Sequence, residues 1–87
     1  MYYVYVIQNV EKEEGFYLGS TTDLKRRLSE HNMTTGHYTS GCEWRIVYYE
    51  AYVSLKTARQ RERSLKNGKA RMLLMHRIKE SLREVSE

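Results

Sequence analysis

The sequence predicts a small α/β (α+β) fold, a three-stranded and largely antiparallel sheet flanked by helices in the order β-β-α-β-α-α. Three observations carry that prediction. Residues 2–9 and 44–53 are rich in β-branched and aromatic side chains, the composition of pleated strands, and residues 16–20 can pair back on the first of them. Residues 24–32, 55–66 and 69–85 instead space their apolar members three and four apart, on one face of a helix. A charged turn closed by glycine, residues 11–15, joins the first two strands as a hairpin. In 87 residues there is room for one domain, 1–87, and for no second core.

The first strand, YYVYVIQN, alternates Tyr3, Tyr5 and Ile7 on one face with Tyr2, Val4 and Val6 on the other, and reads as largely buried. The second strand sets Tyr17 on the neighbour of Tyr5, near enough for both to act on one site. Thr21, Thr22 and Asp23 then offer cap oxygens and a carboxylate to the amides that open the next helix. On that helix Leu24, Arg27, Leu28 and His31 fall within an arc of about 100°, while Lys25, Arg26, Ser29 and Glu30 take the other face. An arginine and a histidine that share a stripe with two leucines either snorkel at the rim of a core or are held over a cleft for chemistry.

Residues 33–43, MTTGHYTSGCE, are turn formers without a period and read as a loop before the third strand. Ser54 caps the second helix, whose Leu55, Ala58 and Leu65 lie within an arc of about 80°. Glu62 projects into that arc as the only acid of a basic helix, with Lys56, Arg59, Arg61, Arg63 and Lys66 around it. Burying a lone carboxylate costs several kcal/mol unless a cation, a hydrogen bond or a metal compensates. Asn67-Gly68 stops the helix by supplying a residue that accepts a left-handed conformation. The last helix carries a packing stripe of Leu74, Met75, Ile78, Leu82 and Val85, with Met72, Leu73 and His76 beside it to extend the contact.

Composition narrows the function classes. Fifteen Lys and Arg against eleven Asp and Glu give a net charge of +4, a bias toward anionic partners of which nucleic acid is the commonest, the alternative being a slightly basic soluble surface. One cysteine, Cys42, excludes an internal disulfide and a cysteine-rich zinc module. Neither it nor His37 has partners at metal spacing. The N-terminal MYYVYVIQNV lacks the basic lead and cleavage site of a signal peptide and is too short to span a bilayer, so the expectation is a cytoplasmic protein with no membrane partner.

The inward polar residues are Tyr5, Tyr17, Arg27, His31 and Glu62. They supply a proton acceptor, an anion clamp and a hard-metal ligand, and phosphodiester hydrolysis uses all three. Arginine suits the clamp because its planar fork matches phosphate oxygens in pairs. One carboxylate suffices for Mg²⁺, which keeps most of its waters. The bland alternatives are packing for any one of eight tyrosines, a hydrogen-bonded structural His31, and a buried Arg27–Glu62 ion pair that fixes helix to helix.

Tyr3-Val4-Tyr5, Tyr17-Leu18-Gly19, the segment STTDLKRRLSEH and the helical RERSLK occur in this order over nearly the whole chain. In these residues the chain resembles the GIY-YIG nuclease superfamily, in particular its small, stand-alone, single-domain members. Tyr3-Val4-Tyr5 stands for the GIY triplet and Tyr17-Leu18-Gly19 for YIG. The resemblance implies a metal-dependent endonuclease that hydrolyses DNA to a 5′-phosphate and a 3′-hydroxyl, in DNA repair or the processing of foreign DNA. It implies Tyr5 as general base toward the attacking water, Tyr17 ordering that nucleophile, and Arg27 stabilising the phosphate in the transition state. His31 positions groups or relays protons, and Glu62 holds a single divalent cation, Mg²⁺ or Mn²⁺.

A free tyrosine has a pKa near 10, so this role asks the cation and Arg27 to favour the Tyr5 phenolate. The chain departs from the family pattern in three ways. Tyr3-Val4 replaces Gly-Ile, the asparagine that follows the glutamate has no clear counterpart, and no DNA-binding domain is attached. Affinity for DNA then rests on Lys25, Arg26, Arg59, Arg63, Lys66, Lys69 and Arg71, able to contact a few phosphates and read little sequence, with a protein partner as a source of specificity. Two rival readings keep the fold: a nucleic-acid-binding module with a vestigial cleft, and a protein-interaction domain of a DNA-processing complex.

Overall fold

The computed structural model describes residues 1–12, 14–33 and 43–86. It contains β1 (Tyr2–Asn9), β2 (Phe16–Thr21), α1 (Leu24–Asn32), β3 (Trp44–Tyr52), α2 (Leu55–Ser64) and α3 (Gly68–Ser86). The sheet order is β2-β1-β3 and both pairings are antiparallel, which is the predicted fold class. The loop expected over 33–43, with His37 and Cys42, lies outside the described residues except at its ends, Met33 and Glu43.

Because β1 is the middle strand, every residue from Val4 to Asn9 is buried. The predicted alternation feeds two cores. Val4 and Val6 pack with Leu18, Ala58, Leu65, Leu74 and Ile78 on the face covered by α2 and α3. Tyr5 and Ile7 pack with Trp44, and with Leu24 and Leu28 of α1, on the other. Each fully buried aliphatic side chain of this kind is worth about 1.5–3 kcal/mol.

The alternation breaks in β3. Val6 pairs with Tyr48 and Ile7 with Ile46, so Val47 has no partner on β1. One extra residue at such a bulge turns the strand over. Trp44 and Ile46 therefore join the α1 core, while Tyr48 and Tyr52 join the α2–α3 core.

Asp23 caps α1 by accepting from the Arg26 amide at 3.0 Å, and Ser54 caps α2 by accepting from the Thr57 amide at 3.2 Å. At the other end of α1, the Asn32 amide accepts from Trp44 N at 2.7 Å and donates to Trp44 O at 3.2 Å. This side chain mimics a strand neighbour and ties α1 to the start of β3. Gly68 has φ +79°, the left-handed turn expected between the last two helices, and it also opens α3.

Three packing expectations are corrected. Leu55 is exposed because it lies in the first turn of α2, short of the sheet. Val85 is exposed because Leu82 is the last residue of α3 packed on the core. Met72, Leu73 and His76 do not extend the stripe but are exposed. Among the described residues, no helix is long and apolar enough to cross a membrane.

Candidate active site at the β2 edge

The hairpin register sets Tyr5 opposite Gly19 and Ile7 opposite Tyr17, so both tyrosines face α1. The turn at Asp23 then aims the inner stripe of α1 at them. His31, 5 % exposed, brings Nε2 to 2.8 Å from the Tyr5 hydroxyl oxygen. Arg27 Nε donates to that same oxygen at 3.3 Å, and Tyr17 sets its ring 4.8 Å from the His31 ring. Four of the five predicted site residues thus form one contiguous group.

A guanidinium only donates, so the Tyr5 oxygen accepts from Arg27; toward His31 Nε2 it either donates its own proton or accepts a second bond, according to the imidazole tautomer. Burial pushes the Tyr5 hydroxyl above the usual phenol range, and the hydrogen bond and charge of Arg27 pull it down by less; the neighbouring Tyr17 and Glu62 add to the rise. Arg27 alone therefore does not favour the phenolate. Its own charge is held more firmly than an ordinary arginine's by its bonds to Tyr5 and to Glu30.

Glu62 comes from α2, which packs on the opposite face of the sheet, and bonds to the edge strand β2. Its Oε1 accepts from the Ser20 hydroxyl at 2.5 Å, and its Oε2 lies 3.5 Å from Lys66 Nζ. The side chain is 24 % exposed. Lys66 also donates to the Leu18 carbonyl at 2.8 Å and sits 5.8 Å from the centre of the Tyr17 ring. This capture of an unpaired carbonyl also protects the edge strand. The Arg27–Glu62 ion pair open to the sequence is not formed: Arg27 pairs with Glu30 at 3.0 Å, and Glu62 pairs with Lys66.

Gly19 is the floor of the site. A Cβ there would meet the Tyr5 hydroxyl oxygen at 2.8 Å and the rings of Tyr5 and Tyr17 at 3.1 Å. Sequence reasoning named Gly19 only as part of a triplet, missed Ser20, and treated Lys66 as a surface phosphate contact. Lys66 stands four residues after Glu62, a spacing that already faces the two side chains toward each other. Ser20 left no such signal. Of the other predicted DNA-contacting residues, Lys25, Arg26, Arg59, Arg63 and Lys69 are exposed and Arg71 is half-buried.

A hairpin and one following helix supply the polar group, and a later helix returns a carboxylate to the same strand edge. That organisation defines a small α+β domain with a polar site at one sheet edge. The chain belongs to the GIY-YIG family: the model of the GIY-YIG catalytic domain matches residues 1–75. A UPF0213 protein of Haloquadratum walsbyi is 35% identical over 68 residues, 76% of this chain and 74% of its own length. A UPF0213 protein of Streptococcus pyogenes serotype M3 is 39% identical over 71 residues, 79% of this chain and 75% of its own length. No solved structure matches the chain.

Proposed function

We propose that the chain is a metal-dependent endonuclease that hydrolyses DNA phosphodiester bonds at the β2 edge, in the cytoplasm, serving DNA repair or processing. The observation that carries this reading is the bonded line Arg27–Tyr5–His31, with the hydroxyl 3.3 Å from one and 2.8 Å from the other, set beside a half-buried carboxylate. Packing alone does not need an arginine, a phenol and an imidazole in series.

Among the described residues no group of three or more His, Cys, Asp or Glu is placed to cage a metal. The donor set instead fits Mg²⁺ or Mn²⁺ held by Glu62 with water and substrate oxygens, because these ions accept few protein ligands. The ion, when bound, supplies positive charge where the leaving oxygen develops its negative charge.

The chain's own residues do the rest. Tyr5 takes a proton from the attacking water as its hydroxyl proton passes to His31 Nε2, so no free phenolate has to accumulate. Tyr17 packs against His31 and holds the imidazole in line. Arg27 keeps Nη2 without a partner among the described residues, with 38 % of its side chain open to solvent, and clamps the phosphate through it. Ser20 orients Glu62 by holding one of its oxygens.

The test is cleavage of plasmid, flap, branched and single-stranded DNA with Mg²⁺ or Mn²⁺, by wild type, Glu62→Ala and Arg27→Ala. Both variants are expected to lose at least about a hundredfold in rate with folding intact. Cleavage that survives Glu62→Ala removes that residue from the site. Wild type that binds DNA without cutting it puts the binding module in place of the nuclease.

A further inference from the structure

We propose that Lys66 is a placeholder for the divalent ion, an internal cation that keeps Glu62 compensated and must be displaced from it before a metal can bind. The inference rests on the reading of Glu62 as the metal carboxylate. The ammonium lies 3.5 Å from Glu62 Oε2, donates to the Leu18 carbonyl at 2.8 Å and sits 5.8 Å from the centre of the Tyr17 ring. A carboxylate oxygen and a backbone carbonyl oxygen are the ligand types a hard divalent cation takes, and here both already face one positive charge.

The two oxygens of Glu62 are not held alike. Oε1 is fixed by Ser20 at 2.5 Å, whereas the 3.5 Å to Lys66 exceeds the reach of a good charge-assisted hydrogen bond. Lys66 therefore balances the charge of Oε2 without tying it down. Its firm bond is to Leu18, and with 47 % of the side chain exposed the ammonium has open solvent to retreat into. While it stays, it repels an arriving dication at close range. Metal affinity in the absence of DNA is thereby kept low, and rises once phosphate oxygens complete the ligand set and give the ammonium another anion to face.

The experiment is a titration of the whole chain with Mn²⁺ alone, without DNA, read by calorimetry and by the electron paramagnetic resonance of free Mn²⁺. Lys66→Met is expected to bind Mn²⁺ about tenfold or more tightly than wild type, from removal of a like charge roughly 4 Å away. Lys66→Arg, which restores the charge, is expected to match wild type. Glu62→Gln added to Lys66→Met should abolish the gain. Lys66→Gln repeats the test if the methionine variant fails to fold. Affinity that is unchanged or weaker in Lys66→Met overturns the placeholder, while loss of wild-type binding in Glu62→Gln would still uphold Glu62 as the metal carboxylate. Binding that survives Glu62→Gln refutes the metal assignment itself. Absence of binding in both wild type and Lys66→Met overturns both.

Discussion

A methyl group added at Gly19 would stand 2.8 Å from the Tyr5 hydroxyl oxygen, so one of the two must move, and the phenol is the one whose position the chemistry needs. Gly19→Ala is expected to lower kcat about tenfold to a hundredfold, because a shift of one ångström at a reacting atom has that size of effect. Gly68 makes the contrasting control. It has φ +79° and nothing within 4 Å of an added Cβ, so Gly68→Ala should cost about 1–2 kcal/mol of stability and leave cleavage intact. Cleavage rates and urea midpoints on both variants separate the effects; equal losses of activity would deny Gly19 its part in placing Tyr5. The pH profile tests the same hydroxyl. Tyr5 is held above the ordinary phenol range, chiefly by burial. A mechanism that needed preformed phenolate would gain tenfold per pH unit up to and beyond about pH 10. With His31 taking the proton, the rate does not wait on preformed phenolate and is expected to level before about pH 9.5. A profile still climbing with unit slope at pH 9.5 would take His31 out of the proton path.

Between elements, the strongest polar fixture lies away from the candidate site. Glu50 on β3 accepts two bonds at 2.9 Å from Nε and Nη2 of Arg61 on α2, one at 2.6 Å from Tyr52, and one from the Tyr48 hydroxyl. Burial pushes the Glu50 carboxyl up, but the bonds from Arg61, Tyr48 and Tyr52 together outweigh it and hold it down at about 2. Burial and the Glu50 carboxylate push the Tyr48 hydroxyl up to about 12. The signs follow. Glu50, lowered from 4.5, contributes stability that is present above that value and lost as pH falls toward about 2. Tyr48, raised from 10.0, contributes stability that is present below that value and lost as pH rises toward about 12. Arg61→Met leaves the carboxylate half-compensated and is expected to cost about 1–3 kcal/mol at pH 7 in urea unfolding, with a shallower decline between pH 4.5 and 2. An unchanged acid slope would show that the tyrosines alone hold Glu50. This cluster was not legible in the sequence, where Arg61 was one base among five around Glu62. The bounds of β1 and α1, and the stripe of Leu24, Arg27, Leu28 and His31, were legible because period and capping are local. The bulge at Val47 depends on the register with β1, and the Ser20–Glu62 and Leu18–Lys66 bonds span 42 and 48 residues, so no local pattern announces them.

Across the whole molecule, the sheet separates two groups of bases. Lys25 and Arg26 are exposed on α1, over one face, and Arg59 and Arg63 are exposed on α2, over the other, with the β2 edge and the candidate site between the two helices. A strand of DNA laid along that edge would be bracketed by positive charge from both sides. Not every base takes part, for Arg61 is neutralised by Glu50 and Lys79 by Glu14. Binding through four or so phosphates releases a matching number of counterions, so log K against log salt concentration is expected to fall with a slope of about −3 to −5. Lys25→Gln and Arg59→Gln should each flatten the slope by about 1 and weaken binding alike for every sequence, since phosphate contacts carry no base information. Arg61→Gln, measured where the variant is folded, should leave the slope where it was. Fluorescence anisotropy of a labelled duplex between 50 and 300 mM salt decides it. If one helix alone carries the slope, the strand does not straddle the β2 edge. If DNA is not retained at any salt concentration, neither nucleic-acid reading survives, and the fold serves a protein partner instead.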